Sequence, residues 1–401
     1  MSERTIRNKV AVVGAGTIPF GELYDKSFED MMSEAYLNCL ESVDKGIDPK
    51  EIEACWYANA DIVWQRHSTG AKVAETLGLT GIPITRVENA CATGSDAFRN
   101  ACFAVAAGLY DVALVVGCEK MLDTPGGLIG MVDLPASIEY PQPRFFNMFA
   151  VTMPSAFGLY GTRHMHVYGT ERKHFAMVSV KSHHYGAKNP YSHFRREITV
   201  DDVLNAPIIS WPLGLYDCCP ITDGAAAVIV CKSDIAKKYT DSPVYVLGSG
   251  LASQPVSLNQ RRDFTIMEPA VWAARQAYKM AGVGPEDIDF AELHDCFSCT
   301  ELIQYEDLGF CKKGEAKTFV ENQEMYIGGK TPCNISGGLK SHGHPIAATG
   351  VAQIVELFWQ LRNEAPGKGR QVPNAEIGLQ QNIGGAGPQV SCINILANKK
   401  M

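Results

Sequence analysis

The sequence predicts an α/β protein made of two related halves, each with its own mostly parallel sheet covered by helices on both faces. Three observations lead there. A strand-and-turn unit occurs twice, short apolar runs alternate with helical stretches, and the composition supports more than one core. The chain has 401 residues, 46% of them hydrophobic and 20% charged, which suits two or three core-bearing units.

The elements follow in order. "VAVVGAGT" at 10–17 is a short β-branched run that ends in a Gly-x-Gly turn, and it reappears as "VYVLGSGL" at 244–251. After the first copy a helical stretch (28–43) leads into "GIDPKEIEACWYA". After the second, another (270–281) leads into "GVGPEDIDFAELHDC". Strand, helix, Pro-acidic helix start and next strand recur in the same order, which reads as a duplicated βαβ unit. The first Gly-x-Gly is not a dinucleotide site, because the third glycine of the fingerprint would fall at Pro19.

Residues 121–220 have a different texture, rich in Met, aromatic and His side chains, as in "FFNMFAVTMPSAFGLYGTRHMHVYGTERKHF". This stretch reads as an inserted segment that roofs a site, with helices near 154–168 and 171–187; a long helical insertion without a ligand role is the alternative. "TDGAAAVIV" at 222–230 returns the chain to the core as a buried strand. The expected division is therefore 1–120 with 221–240 as the N-terminal half, 121–220 as the insertion, and 241–401 as the C-terminal half.

Charge and cysteine usage narrow the class. A net charge of −8 carries no basic surplus for nucleic acid or a membrane surface. Thirteen cysteines scatter without the spacing of a disulfide framework, the polar N-terminus lacks the apolar core of a secretion signal, and the C-terminus "ANKKM" carries no peroxisomal address. No apolar run approaches the roughly 18 residues that span a bilayer. The expectation is a reducing cytoplasm.

Four stretches could carry chemistry. In "NACATGSDAFRN", Cys91 stands just before a helix start, where backbone N–H groups and the helix dipole favour a thiolate by about 2 kcal/mol at most. That lowers a thiol pKa by roughly 1.5 units, so a base is needed as well; a small buried packing cysteine is the competing reading. His344 in "GLKSHGHPIAATG" supplies a candidate base, with Pro345 suited to open a helix and Gly337, Gly338 and Gly343 clearing backbone space. His342 is a weaker candidate. "LQQNIGGAG" follows an apolar strand and offers backbone N–H groups at Gly384, Gly385 and Gly387 for close approach to a ligand oxygen, or simply a tight turn. "ELHDCFSCTEL" packs His294, Asp295, Cys296 and Cys299 together. Cys296-x-x-Cys299 is half a zinc knuckle, but no second pair follows, and Cys311 with His342 completes it poorly. No metal is expected.

Together these stretches resemble the thiolase superfamily, specifically its sterol-carrier-protein-2 type, over nearly the whole chain. "NACATGS" is similar to the nucleophile motif, "HDCF" to the signature of this branch, "GHPIAATG" to the histidine motif and "NIGGAG" to the C-terminal glycine loop; "CCPITDGAAA" and "LFWQLRNEA" also look like the branch. The resemblance implies a five-layered αβαβα sandwich with an inserted loop domain. It implies Cys91 as nucleophile, Cys296 as the acid/base that moves the α-proton, and His344 as the base for Cys91. His294 and His344 would serve the enolate oxygen, and the N–H groups of Cys91 and Gly384 the other oxyanion. Commoner thiolases carry a second catalytic cysteine where this chain has Asn382.

The implied activity is CoA-dependent acyl transfer that cleaves or forms the carbon-carbon bond of a 3-oxoacyl-CoA, in acyl-CoA and lipid metabolism, with coenzyme A as substrate and no permanently bound cofactor. A homodimer through the N-terminal half, and a small OB-fold zinc-ribbon partner protein, are the implied associations. A retro-aldol lyase of the same fold and a non-catalytic acyl-CoA-binding subunit are the alternatives. Both are disfavoured by retention of Cys91 and Cys296. "FFNMF" is expected to help line the acyl pocket.

Overall fold

The computed structural model describes residues 5–60, 69–123 and 152–401. The strands are β1 (Val10–Thr17), β2 (Ala54–Ala58), β3 (Ile84–Val87), β4 (Val112–Glu119), β5 (Ile208–Ser210), β6 (Leu213–Gly214), β7 (Gly224–Lys232), β8 (Val244–Ser253), β9 (Phe290–Glu292), β10 (Ile377–Gly384) and β11 (Val390–Ala397). The helices are α1 (Phe28–Glu41), α2 (Gly70–Leu77), α3 (Thr93–Ala106), α4 (Met153–Tyr168), α5 (Arg172–Gly186), α6 (Val200–Asn205), α7 (Glu268–Ala281), α8 (Ser298–Asp307), α9 (Ala316–Glu321), α10 (Gly338–Ser341) and α11 (Ile346–Arg362). The predicted insertion helices match α4 and α5 to within two residues at each end. "FFNMF" lies outside the described residues.

Strand order exposes the duplication. The main sheet runs β3-β2-β4-β7-β1-β8-β11-β10-β9, in which the second half repeats the first in mirror order. Where the first half pairs β2 with β3 in parallel, the second has a parallel bridge between Ala291 and Cys333. The two half-sheets meet where Ala11 and Val12 pair with Tyr245 and Val244, and where Asn8 N–H donates to Val246 O at 3.1 Å.

The expectation of mostly parallel sheets is corrected. β2 runs parallel to β3 and β4, and β9 to β10. β7 is antiparallel to both β1 and β4, and β11 to both β8 and β10. The reason is connectivity: β11 follows β10 through a tight turn, which permits only the antiparallel direction, whereas parallel neighbours need a long crossover.

Alternation along each strand sorts the cores into layers. Ala11, Val13, Leu114, Val116, Ala227 and Ile229 face α1, whose Met31, Met32 and Ala35 are fully buried against them. The opposite faces of the same strands meet α3 and α11 through Phe98, Ala101, Val351 and Ile354. On the far side, β8, β10 and β11 bury Leu247, Leu379, Ile393 and Ile395 against Ala270, Ala273 and Ala277 of α7. The layers are therefore helix, sheet, paired central helices, sheet, helix. α3 and α11 cross closely: a Cβ on Gly94 would lie 2.5 Å from Ala347 O, and one on Gly350 2.4 Å from Ser95 N. Cys91 and His344, the expected nucleophile and base, each stand two residues before one of these central helices.

Candidate active site

Cys91 follows β3 on a strained turn in which Ala90 takes φ +49°, a conformation that non-glycine residues seldom adopt. His344 sits between Gly343, at φ +116° with Thr222 in the space a side chain would need, and Pro345 at the cap of α11. His294 and Cys296 lie on the loop from β9 into α8. These separate segments converge: the Cys91 sulfur and one ring nitrogen each from His294 and His344 all lie within 4.8 Å of one another. The two imidazoles meet edge to face, with centroids 5.1 Å apart.

Every member is buried, and burial decides the protonation states. The Cys91 thiol is pushed up to about 12 by burial, which outweighs the backbone N–H groups of Gly385 and of Cys91 itself; the Glu119 carboxylate adds to the rise. The dipole effect expected from sequence is thus the smaller term. His344 is pushed down to about 4 by burial, against the opposing Asp295 charge. His294 is held well below its ordinary value by burial, then by His344 and Lys340. The resting pair is thiol and neutral imidazole.

Hydrogen bonds orient the rings. Thr349 Oγ1 lies 2.8 Å from His344 Nδ1 and 3.3 Å from Pro345 O. His344 Nε2 is buried without a partner among the described residues, so it is available to the thiol.

Cys296 is buried against the same site. Burial, and then the proximity of Cys219, Cys91 and Cys299, raise its pKa well above the ordinary thiol value. Its Sγ reaches only Thr300 Oγ1, at 4.0 Å. The Cys299 thiol donates to Phe157 O at 3.5 Å while staying near enough to Cys296 to raise its pKa. The one set of three potential metal ligands among the described residues is Cys91, His294 and His344. A soft ion there would occupy the thiol itself.

Asn382 and Gly384, expected on a loop, belong to β10, whose pairing with β11 continues through Gly384 and Val390. A side chain on Gly384 would strike Asn89 O at 2.5 Å, so this position keeps the strand end against the Cys91 turn. The thiol takes its backbone hydrogen bond from Gly385, one residue on. The Asn382 side chain points into the central layer toward Ser95, Gln353 and His294.

Three supporting residues went unassigned from sequence. Cys219 donates its N–H to Cys296 O at 2.9 Å, which places a third thiol beside the pair. Lys340, fully buried, binds Asp295 at 2.6 Å, and Leu339 N–H binds the other carboxylate oxygen at 2.6 Å. Burial works against the Lys340 charge, but Asp295 and Glu301 outweigh it and raise its pKa. Lys181 pairs with Glu301, so two cations and two carboxylates balance inside the fold and tie the His294–Cys296 loop to the segment before His344. Gln353 is treated below.

A mirrored pair of α/β sandwiches, with a thiol and two imidazoles converging between its central helices, defines the class of thiolase-fold acyl-CoA enzymes. Comparison with known proteins agrees. Residues 10–234 match the thiolase N-terminal domain and 250–398 the thiolase C-terminal domain-like family; the chain belongs to the thiolase family. It is 45% identical over 381 residues to an acetyl-CoA acetyltransferase of Methanothermobacter thermautotrophicus, covering 94% of this chain and 97% of that one. It is 38% identical to sterol carrier protein 2 of Bos taurus, covering 97% of this chain and 72% of the relative. Among solved structures, the Ltp2-ChsH2(DUF35) aldolase superposes with a TM-score of 0.85 at 26% identity, over 99% of this chain and 100% of that one. Human mitochondrial 3-ketoacyl-CoA thiolase, at 19% identity and a TM-score of 0.71 over 98% and 99% of the two chains, shares the fold. The chain is a thiolase-type acyltransferase.

Proposed function

We propose that the enzyme cleaves, or in reverse forms, the carbon-carbon bond of a 3-oxoacyl-CoA through an acyl group carried on Cys91. The observation that carries this reading is the convergence of Cys91, His294 and His344 within 4.8 Å. His344 Nε2 takes the Cys91 proton as sulfur attacks the 3-keto carbon. The oxyanion is met by backbone N–H groups of the Cys91 turn and the β10 end, at Gly384 and Gly385. Carbon-carbon cleavage leaves an acyl thioester on Cys91 and an enolate whose thioester oxygen accepts hydrogen bonds from His294 and His344. Cys296 delivers the proton to the α-carbon. Coenzyme A, deprotonated by the resulting Cys296 thiolate, then takes the acyl group; the released Cys91 thiolate recovers its proton from His344, so both thiols and the imidazole end as they began. Condensation is the same path reversed.

Residues 121–220 are read as the roof of this site. α4 supports that reading where Phe157 packs at a tilt against Phe297 of the HDCF loop, at 5.1 Å between ring centroids. A cytoplasmic homodimer acting in acyl-CoA and lipid metabolism is the setting proposed; no described helix is long and apolar enough to cross a membrane. A small OB-fold zinc-ribbon partner is also proposed, supported by the DUF35 component named in the aldolase neighbour. That neighbour favours a second reading as a retro-aldol lyase. Such a reaction needs neither an acyl-accepting thiol nor a second proton-transferring one, and this chain keeps both.

The test separates the half-reactions. Acyl-CoA should leave a thioester on Cys91, read by peptide mass spectrometry. Cys296→Ala should still acylate, while full thiolysis falls by about 10²- to 10⁴-fold. Cys299→Ala should turn over near the wild-type rate. Equal damage from both substitutions, or acylation confined to another residue, overturns the assignment.

A further inference from the structure

We infer that Gln353 and Asn382 are positioning residues that fix His294 in the tautomer bearing its proton on Nε2, making it a hydrogen-bond donor into the site. The inference rests on the function proposed above for what that donor meets.

The deduction starts at a backbone carbonyl, whose role is fixed. Gln353 lies on α11, 5% exposed, with its amide nitrogen 3.2 Å from Leu293 O. A carbonyl can only accept, so that atom of Gln353 must be the NH₂ group, and the other, Oε1, is an acceptor. Two groups approach Oε1: Gln380 Nε2 at 2.9 Å and Asn382 Nδ2 at 2.6 Å. Reversing the Asn382 amide would bring two oxygens together at 2.6 Å. It would also set NH₂ against Ser95 Oγ, which already receives Gln380 Nε2. Ser95 instead donates to Asn382 Oδ1 at 2.8 Å. The nitrogen of Asn382 is therefore the atom that lies 3.4 Å from His294 Nδ1. Gln353 Oε1 takes one of its two protons, and the other lies between Gln381 O at 3.1 Å and His294 Nδ1 at 3.4 Å. An amide NH₂ accepts no hydrogen bond, so a proton on Nδ1 would face it unpaired, which favours the neutral ring with its proton on Nε2.

The backbone around His294 is held as firmly. Its N–H donates to Gln381 Oε1 at 3.1 Å, and its carbonyl accepts from Gln304 Nε2 at 2.8 Å. The chain of amides lies in the central layer, with Ser95, Gln380 and Asn382 fully buried. Thr349 Oγ1, 2.8 Å from His344 Nδ1 and 3.3 Å from Pro345 O, can accept from Nδ1 while donating to the carbonyl, the arrangement that leaves His344 Nε2 bare. Two imidazoles 5.1 Å apart are thereby assigned different work: His344 accepts a proton, and His294 donates a hydrogen bond to the developing oxyanion.

The test reads the tautomer directly, so its failure is distinct from failure of the proposed reaction. Protein labelled with ¹⁵N-histidine is compared with a His294→Gln variant to assign the ring, and long-range nitrogen-proton spectra report which nitrogen is bare. Wild-type protein should show His294 Nδ1 bare. Asn382→Asp places an acceptor against Nδ1 and should move the proton there, with a fall in full turnover of about 10²- to 10³-fold, the usual loss for one oxyanion donor, while acylation of Cys91 survives. Asn382→Ala removes the constraint without reversing it and should be the milder of the two, although it is the less isosteric. If Asn382→Asp does not fold, Gln353→Leu frees the Asn382 amide and should give both tautomers. A wild-type His294 protonated on Nδ1, or a tautomer unchanged in every variant, overturns the inference.

Discussion

Cys91 shows how far a single residue's chemistry departs from its local sequence. The turn before α3 offers backbone N–H groups, a favourable term of up to about 2 kcal/mol, yet the thiol is pushed up to about 12 because the site around it is closed to water. A sulfur of that pKa reacts with iodoacetamide only through its small thiolate fraction. The alkylation rate of free enzyme should therefore rise about tenfold per pH unit from pH 7 to 10, with the label located at Cys91 by mass spectrometry. A plateau near neutrality would instead reveal a preformed thiolate and imidazolium. The convergence of Cys91 and His344 could be anticipated from residue type, turn and cap. Gln353 could not, since one glutamine in the apolar run "GVAQIVELF" reads as an ordinary helix position. The signal that might have exposed it is the company of "LQQN", where three consecutive amides interrupt an apolar strand.

At the scale of elements, apolar periodicity located strands and helices well because each buries one face, and α4 and α5 needed no tertiary knowledge. Strand direction was misjudged for β7 and β11, since pairing partners are set by how the chain returns rather than by any residue in the strand. The same limit hid Asn382 and Gly384 inside β10. Helix crossing carries its own prediction. Alanine for glycine in a helix interior ordinarily stabilises by roughly 0.5 to 1 kcal/mol. At Gly94 or Gly350 the added carbon meets backbone of the other central helix, 2.5 Å and 2.4 Å away, and no side-chain rotation relieves it. Gly350→Ala should reverse the sign, costing about 1 to 3 kcal/mol in denaturant midpoint, with activity lost beyond the stability change because α3 and α11 carry Cys91 and His344. A stabilised variant would contradict the described crossing.

The whole molecule buries several imidazoles that resist protonation. His344 and His183 are pushed down to about 4 and His342 to about 3, in each case chiefly by burial, and His294 lies well below its ordinary value. Above the ordinary histidine pKa both folded and unfolded chains are neutral at these rings, and stability is complete. As pH falls below it, the unfolded chain takes up protons that the fold refuses, and each ring removes about 1.4 kcal/mol per pH unit until its folded value is reached. Four together approach about 5 kcal/mol per unit, offset in part by Glu292, raised to about 8 chiefly by burial, which the fold protonates first and which returns about 1.4 kcal/mol per unit; the net is still a large share of a typical folding free energy of roughly 5 to 15 kcal/mol. Melting temperatures at pH 7.5, 6.5 and 5.5 should be nearly level over the first interval and drop steeply over the second; a flat profile would mean the rings are not sealed from water. The mirrored sheet order has a different consequence, one of ancestry. Cys91 and His344 occupy like positions in the two repeats, each two residues ahead of a central helix. Identical copies would hold the same side chain at both positions, so a thiol beside an imidazole on that axis requires that the repeats differ. The asymmetry between the twins is what lets one axis pair two unlike groups.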